Sequence, residues 1–405
     1  MFIFYKPISS IMLTYYAFPY TINTYVVDLE ESFMKYPRYA YNDPAAPTFK
    51  VKTFIGGHEL TMPKYDYPIT PKENFTRSIN RNKPMWVPNP LLDFQIISPN
   101  DMILSTDATI GQNVSMDFST QHTGDYRFTD WFLTDWSYVH SAGGPMLTPG
   151  FFLCEDVTEW KKDVKFPDFS DWDWDTFRDD FMSNRYDPNK ILHVDIGLGC
   201  SERLVSIMGG YGETMLAFAA EPDACRDFFE AFIDHEIEFF DKIMDNYPID
   251  LLTYHDDWCN ERDAFFSPAM LEYMLLGPTK RFIDHVKLRG VFLEFHICGN
   301  MMRFLPYFND LDIDLLQIQR RAVDFPLIKE KYGDKLGFGT GIEGFLPGAA
   351  EPTADQLISM VRKTIDMYAA RGGVYSSFYL SDPELLWIGT NELYAYSREF
   401  YDNEN

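Results

Sequence analysis

Basic residues are scarce in this sequence: 35 Lys and Arg stand against 61 Asp and Glu, a formal charge of −26. A field of that sign repels phosphate, which excludes nucleic acid and anionic membrane as partners and weighs against substrates carrying many carboxylates. Cysteine is sparse too. Cys154, Cys200, Cys225, Cys259 and Cys298 are odd in number, far apart and never in a CxxC pair. They form no disulfide framework and fit a reducing, cytoplasmic setting. No repeat of fixed period, low-complexity tract, GxSxG element, HExxH helix or EF-hand loop occurs, and Ser/His/Asp catalysis has no local signature. A long hydrophobic run is also missing. Lys6 and Pro7 break the apolar start, and Ile8 to Val27 carries Ser, Thr and Asn. This segment therefore reads as a packing arm or a subunit contact of a homo-oligomer, not as a signal peptide or membrane anchor.

Apolar and aromatic residues are abundant: 46% of the chain is hydrophobic and 17% aromatic. That is ample for a large core, and it also suits an aromatic-walled pocket for a small-molecule substrate. Residues 1–70 read as an irregular extension and 71–405 as one domain. Within the domain, Glu73–Asn82 reads as a helix and Met85–Val87 as a strand. Later strands are expected at Ile191–Ile196, Asp250–Tyr254, Val291–Ile297, Leu315–Ile318, Leu336–Gly339 and Val374–Phe378. Helices separate them, including an amphipathic one over 223–247, one opened by Ser267-Pro268, and one opened by the capping box of Thr353 and Gln356. Such alternation specifies a parallel α/β sheet with helical crossovers, either closed as a (β/α)₈ TIM barrel or open. Catalytic groups of a barrel lie at the C-terminal ends of its strands.

Three constellations fall at strand ends. In Phe292-Leu-Glu-Phe-His-Ile-Cys-Gly-Asn300, alternation puts Glu294, His296 and Cys298 on one face. Positions two apart lie about 6.6 Å apart along a strand, so His296 and Cys298 can converge on one ion, and an imidazole with a thiolate suits Zn²⁺. Glu294, farther back, is suited to orienting His296. The alternative is a buried histidine beside an inert thiol. In Thr253-Tyr-His-Asp-Asp-Trp-Cys259, His255, Asp256 and Asp257 offer acid, base or ligand chemistry, or simply cap a helix. Phe338-Gly-Thr-Gly-Ile-Glu343-Gly matches the frame of a dinucleotide fingerprint, but Pro347 stands where its phosphate-capping helix should run. Asp130 to Trp136, with Gly143 and Gly144, forms an aromatic and acidic loop.

These residues resemble the uroporphyrinogen decarboxylase superfamily. The resemblance rests on Asp256-Asp257-Trp258, Ser267-Pro268, His296-x-Cys298-Gly299-Asn300, the opening Asn74 to Pro84, and the Asp130 to Gly150 block, across residues 72–402. It implies a (β/α)₈ barrel. The decarboxylases of that family grip porphyrinogen through arginines after the first strand, whereas Met85 to Asp93 contains none. The cobamide-dependent methyltransferases of the family hold zinc with a His-x-Cys pair and a later cysteine. His296 and Cys298 match the pair, but no cysteine follows Cys298. Glu343, Asp257 or Cys259 would have to complete the set, and a carboxylate ligand favours polarising a methoxy oxygen.

The expectation is thus a zinc-dependent methyltransferase moving a methyl group between a small, methylated or methoxylated substrate and a corrinoid on a partner protein. His296, Cys298 and Glu343 hold the metal, Asp256, Asp257 and Asp130 serve catalysis, and Glu294, His255, Trp258 and Asn300 meet the substrate. The alternatives are a metal-free lyase in which Asp130 stabilises charge, and a non-catalytic binding barrel.

Overall fold

The computed structural model describes residues 11–17, 21–27, 35–52, 59–97, 125–139, 144–170, 172–342 and 350–404. In chain order, β1 (Ile11–Ala17) and β2 (Thr21–Val27) form an antiparallel pair, as do β3 (Thr48–Lys52) and β4 (Glu59–Pro63). Next come β5 (Phe94–Ile97) and an antiparallel meander of β6 (Tyr126–Thr129), β7 (Asp135–Val139) and β8 (Gly144–Leu147). The remaining strands are β9 (Ile191–Ile196), β10 (Leu251–His255), β11 (Phe292–Ile297), β12 (Leu315–Ile318), β13 (Gly337–Gly341) and β14 (Val374–Ser377).

One parallel sheet of seven strands runs in the order β5, β9, β10, β11, β12, β13, β14, each strand joining beside its predecessor. Helices make the crossovers. Cys200–Ile207, Tyr211–Ala220 and Pro222–Asn246 lie between β9 and β10; Leu276–Leu288, reached through Pro268–Met270 and a π-helical turn at Leu271–Leu275, precedes β11. Leu305–Asp310, Phe325–Tyr332 and Ala354–Tyr368 follow in turn, and Pro383–Glu404 ends the series. Among the described residues no helix is long and apolar enough to cross a membrane.

Period-two alternation sorts each strand into two faces. Leu192, Val194, Leu252, Tyr254, Leu293, Phe295, Leu316, Phe338 and Val374 join the main core beneath the helices. The opposite face begins with Phe94, Ile191, Leu251 and Leu315 near the strand starts, packed on Phe75 and Ile79 of the Pro71–Ile79 helix. Farther along, the same face turns polar. His193, Thr253, Glu294, Gln317 and Tyr375 follow, then Asp195, His255 and His296. An apolar floor thus lies beneath polar side chains that rise toward the C-terminal strand ends.

The sheet is curled. Phe94 on β5 and Tyr375 on β14 belong to strands at opposite edges, yet their rings lie 5.6 Å apart. Seven strands are present among the described residues where eight were expected, and the ladder does not close. Met85–Val87, expected as a strand, lies in the seam without forming one. Asn74 Oδ1 accepts from the Met85 and Trp86 backbones, Asn74 Nδ2 donates to the Trp86 carbonyl, and Ser397 Oγ accepts from Val87 N–H. Pro84, Pro88 and Pro90 have no N–H to give. One bond crosses to the sheet edge, from Ser376 N–H to the Pro88 carbonyl at 3.0 Å. Residues 35–52 and 59–70 cover the outside of this seam: Tyr65 stacks on Tyr394 at 4.0 Å, and Arg38 bridges Glu392 and Glu399.

Candidate metal centre

His296 is the fifth residue of β11, and its cross-strand partner is His255, the last residue of β10; their rings lie 4.3 Å apart. Beyond β11 the chain turns at Gly299, whose φ of 86° suits glycine, and a Cβ there would meet the Asn260 carbonyl at 2.5 Å. Asn300 N–H binds that same carbonyl at 2.8 Å. This clamp turns Cys298 back toward His296, so that Nε2 and Sγ stand 3.2 Å apart. Asp257, two residues past β10, accepts the Cys298 N–H at 2.6 Å.

The outcome is a cluster of Asp257, His296 and Cys298 whose ligand atoms all lie within 4.8 Å of one another, each residue half-buried. Ligand atoms around a tetrahedral Zn²⁺ are separated by about 3.3–3.7 Å, given bonds of roughly 2.0–2.3 Å. One nitrogen, one sulfur and one oxygen fit that ion and leave a coordination position open. Among the expected third ligands, Asp257 stands in the cluster. Cys259 does not; it is buried, its thiol pushed up to about 12 by burial. Glu343 lies outside the described residues.

Burial, then the neighbouring His255, lowers His296 to about 4, so its imidazole is neutral, as a ligand must be. Burial, then Asp257 and Glu202, holds the Cys298 thiol well above its ordinary value. Glu202 itself is raised well above the usual carboxyl range by burial and by Asp257 and Asp256. Both groups are thereby held protonated, and a cation bound between them would favour their ionised forms. Glu202 was not read from the sequence; it sits in the first turn of the Cys200–Ile207 helix, just past the end of β9. The available signal was that a helix start after a barrel strand faces the mouth.

A buried hydrogen-bonded layer supports His296 from below. His296 Nδ1 is 2.5 Å from Gln317 Oε1, and Gln317 Nε2 donates to Glu294 Oε2 at 3.0 Å. Thr253 Oγ1 and Tyr375 Oη also donate to that oxygen, at 2.8 and 2.9 Å. Burial raises Glu294 to about 7, against the hydrogen bonds from Thr253 and Tyr375. The expected link from Glu294 to His296 thus runs through Gln317. Glu294 is fully buried, so it is not positioned for substrate contact. His255 is half-buried, and its Nε2 pairs with Asp195 at 3.1 Å. Burial opposes the charge on Asp195, but His193 and His255 hold its carboxyl below the ordinary range.

Four other expected site residues are committed to hydrogen bonds or packing within the protein. Asp256 is fully buried and accepts from Ser201 Oγ, the Ser201 and Glu202 backbones and Trp258 Nε1; it caps the helix that carries Glu202. Trp258 is fully buried against Phe295, Phe304 and Phe308. The Asn300 side chain binds Met302 N–H and the Arg262 carbonyl, which closes a turn. Asp130 is fully buried, paired with Arg203 at 2.6 Å and bonded to Phe132 N–H, Thr134 N–H and Trp136 Nε1. Residues 130–134 form the turn between β6 and β7, Asp135 and Trp136 open β7, and Gly143 lies outside the described residues.

No protein-family model matches the sequence, and none of the curated proteins compared with it does. Among solved structures, the chain is similar to a methyltransferase from Methanosarcina mazei, with a TM-score of 0.45 and 14% identity over 64% of this chain and 73% of that one.

Proposed function

We propose that the chain is a zinc-dependent methyltransferase of the (β/α)₈ type, working in the cytoplasm and moving a methyl group between a small methylated or methoxylated compound and a corrinoid carried by a partner protein. The observation that carries this reading is the convergence of Asp257, His296 and Cys298 at adjoining strand ends. The resemblance of the His-x-Cys pair to that of the cobamide-dependent methyltransferases supplies the reaction class. Asp257 takes the part played there by a later cysteine.

In this reading His296, Cys298 and Asp257 hold the ion, which supplies Lewis acidity toward the substrate heteroatom. A carboxylate in place of a second thiolate keeps that acidity higher, which suits an ether oxygen better than a thiol. His255, anchored by Asp195, stands beside His296 and is within the half-buried mouth. Tyr379, half exposed, lies against Gly341 at the end of β13, and Tyr211 stacks on Phe265 at 4.3 Å near Glu202 and Asp257. Such aromatic flanks suit a flat or methylated guest. The lyase alternative has no support at Asp130, whose carboxylate is committed to Arg203.

Zinc content of the purified protein and transfer of methyl groups from methoxylated donors to free cob(I)alamin test the reading together. Wild type should carry zinc and lose transfer on chelation, and Cys298→Ser should lose most of both. Equal, near-zero zinc in the two proteins overturns it.

A further inference from the structure

The layer beneath His296 has an asymmetry that the metal reading does not use. Gln317 lies between a histidine and a glutamate, and an amide can present either its oxygen or its NH₂ to each neighbour. Here Nε2 is 3.0 Å from Glu294 Oε2 and 3.0 Å from Tyr375 Oη. That oxygen already accepts from Thr253 and Tyr375, so an amide oxygen set against it would be repelled. Tyr375 spends its hydroxyl proton on the same Glu294 oxygen, so its own oxygen is free to accept from Gln317. The amide is thereby held with Oε1 toward His296. Because Oε1 can only accept, Nδ1 of His296 must be the protonated nitrogen. Nε2, the nitrogen facing Cys298, keeps its lone pair. The fit is tight: a Cβ at position 339 would come within 2.4 Å of Tyr375 Oη and 2.5 Å of Glu294 Oε1, so Gly339 leaves room for the pair.

We propose that Glu294 and Tyr375, acting through the fixed amide of Gln317, set the tautomer of His296 and so make its Nε2 available as a metal ligand. The inference about the tautomer is independent of metal; its consequence for affinity rests on the zinc-site reading. Gln317, Glu294 and Tyr375 are positioning residues in this scheme. Glu294 acts from two bonds away, and Glu294→Gln should matter because an amide there can donate to Gln317, allow it to turn, and move the hydrogen of His296 to Nε2.

Nitrogen-15 NMR of the metal-free full chain reads which ring nitrogen of His296 bears hydrogen, and competition with a chromogenic chelator reads zinc affinity. Nδ1–H is expected in wild type. Gln317→Leu and Glu294→Gln should show Nε2–H appearing, with zinc affinity about 10- to 100-fold weaker. Thermal unfolding of each variant separates this shift from loss of fold. If Gln317→Leu keeps Nδ1–H and wild-type affinity, the proposal is overturned. If the tautomer follows Gln317 while wild type and Cys298→Ser bind zinc equally poorly, the tautomer control stands and the zinc reading beneath it falls.

Discussion

Asp256 and Asp257 are neighbours in the chain with opposite surroundings. Asp256 points into the protein and accepts from Ser201 and Trp258, whereas Asp257 joins His296 and Cys298 at the half-buried mouth. A buried carboxyl with fewer donors behaves differently again. Glu236, in the Pro222–Asn246 helix, has an Oε2 with no hydrogen-bond partner, and burial raises it to about 8, with Arg203 opposing. The folded protein therefore holds this proton more tightly than the unfolded chain, whose value is near 4.5. The stability it contributes is fully present below that unfolded value and is lost as pH rises toward 8. Wild type should lose about 2–4 kcal/mol between pH 5 and pH 8 relative to Glu236→Gln. Urea unfolding at both pH values checks this, and parallel losses in the two proteins contradict it. His296 and Cys298 were legible because alternation on a strand puts them on one side. Gln317 and Asp195 lie on the same face but in segments whose apolar neighbours dominated the reading. Asp257 was ambiguous, since nothing in Asp-Asp tells which carboxylate turns inward.

At the scale of elements, β9 through β14 were legible because each is a short apolar or β-branched run between helical stretches with recognisable caps. Met85–Val87 misled for a physical reason: its composition is that of a strand, but side chains distant in sequence, Ser397 among them, take its backbone groups. β5, a four-residue strand directly after a helical turn, carried too little pattern to find. The turn after β11 is where an element hands its geometry to the site. Gly299→Ala forces a side chain against the Asn260 carbonyl at a positive φ. It should cost about 1–3 kcal/mol of stability. Zinc binding should fall as well, because Cys298 is displaced from His296. Thermal melts with metal analysis would read both effects, and a variant that keeps full zinc would show that the turn does not set the thiol's position.

For the whole molecule, the acidic surface was plain from composition, and the curl of the sheet was not, since it depends on contacts between its two edges. Residues 35–52 and 59–70 bear on that seam. Tyr65 and Tyr67 pack with Trp86, Leu92, Leu386 and Tyr394, and Arg38 ties the segment to the last helix. Removing residues 1–70 would bare this aromatic patch. The fragment 71–405 should unfold at least about 5 °C lower than the full chain or elute as aggregate in size-exclusion chromatography. A monodisperse fragment of unchanged melting temperature would refute that role.

The hydrogen bond from Ser78 to the Val374 carbonyl joins residues 296 positions apart. During synthesis on the ribosome, the floor formed by Phe75, Phe94 and Tyr375 stays incomplete until Tyr375 has emerged. His296 and Cys298 come out well before then, with β9 to β12 already able to pair around them. A nascent chain would thus expose its cysteine and histidine to ions and oxidants for the time it takes to make β13 and β14.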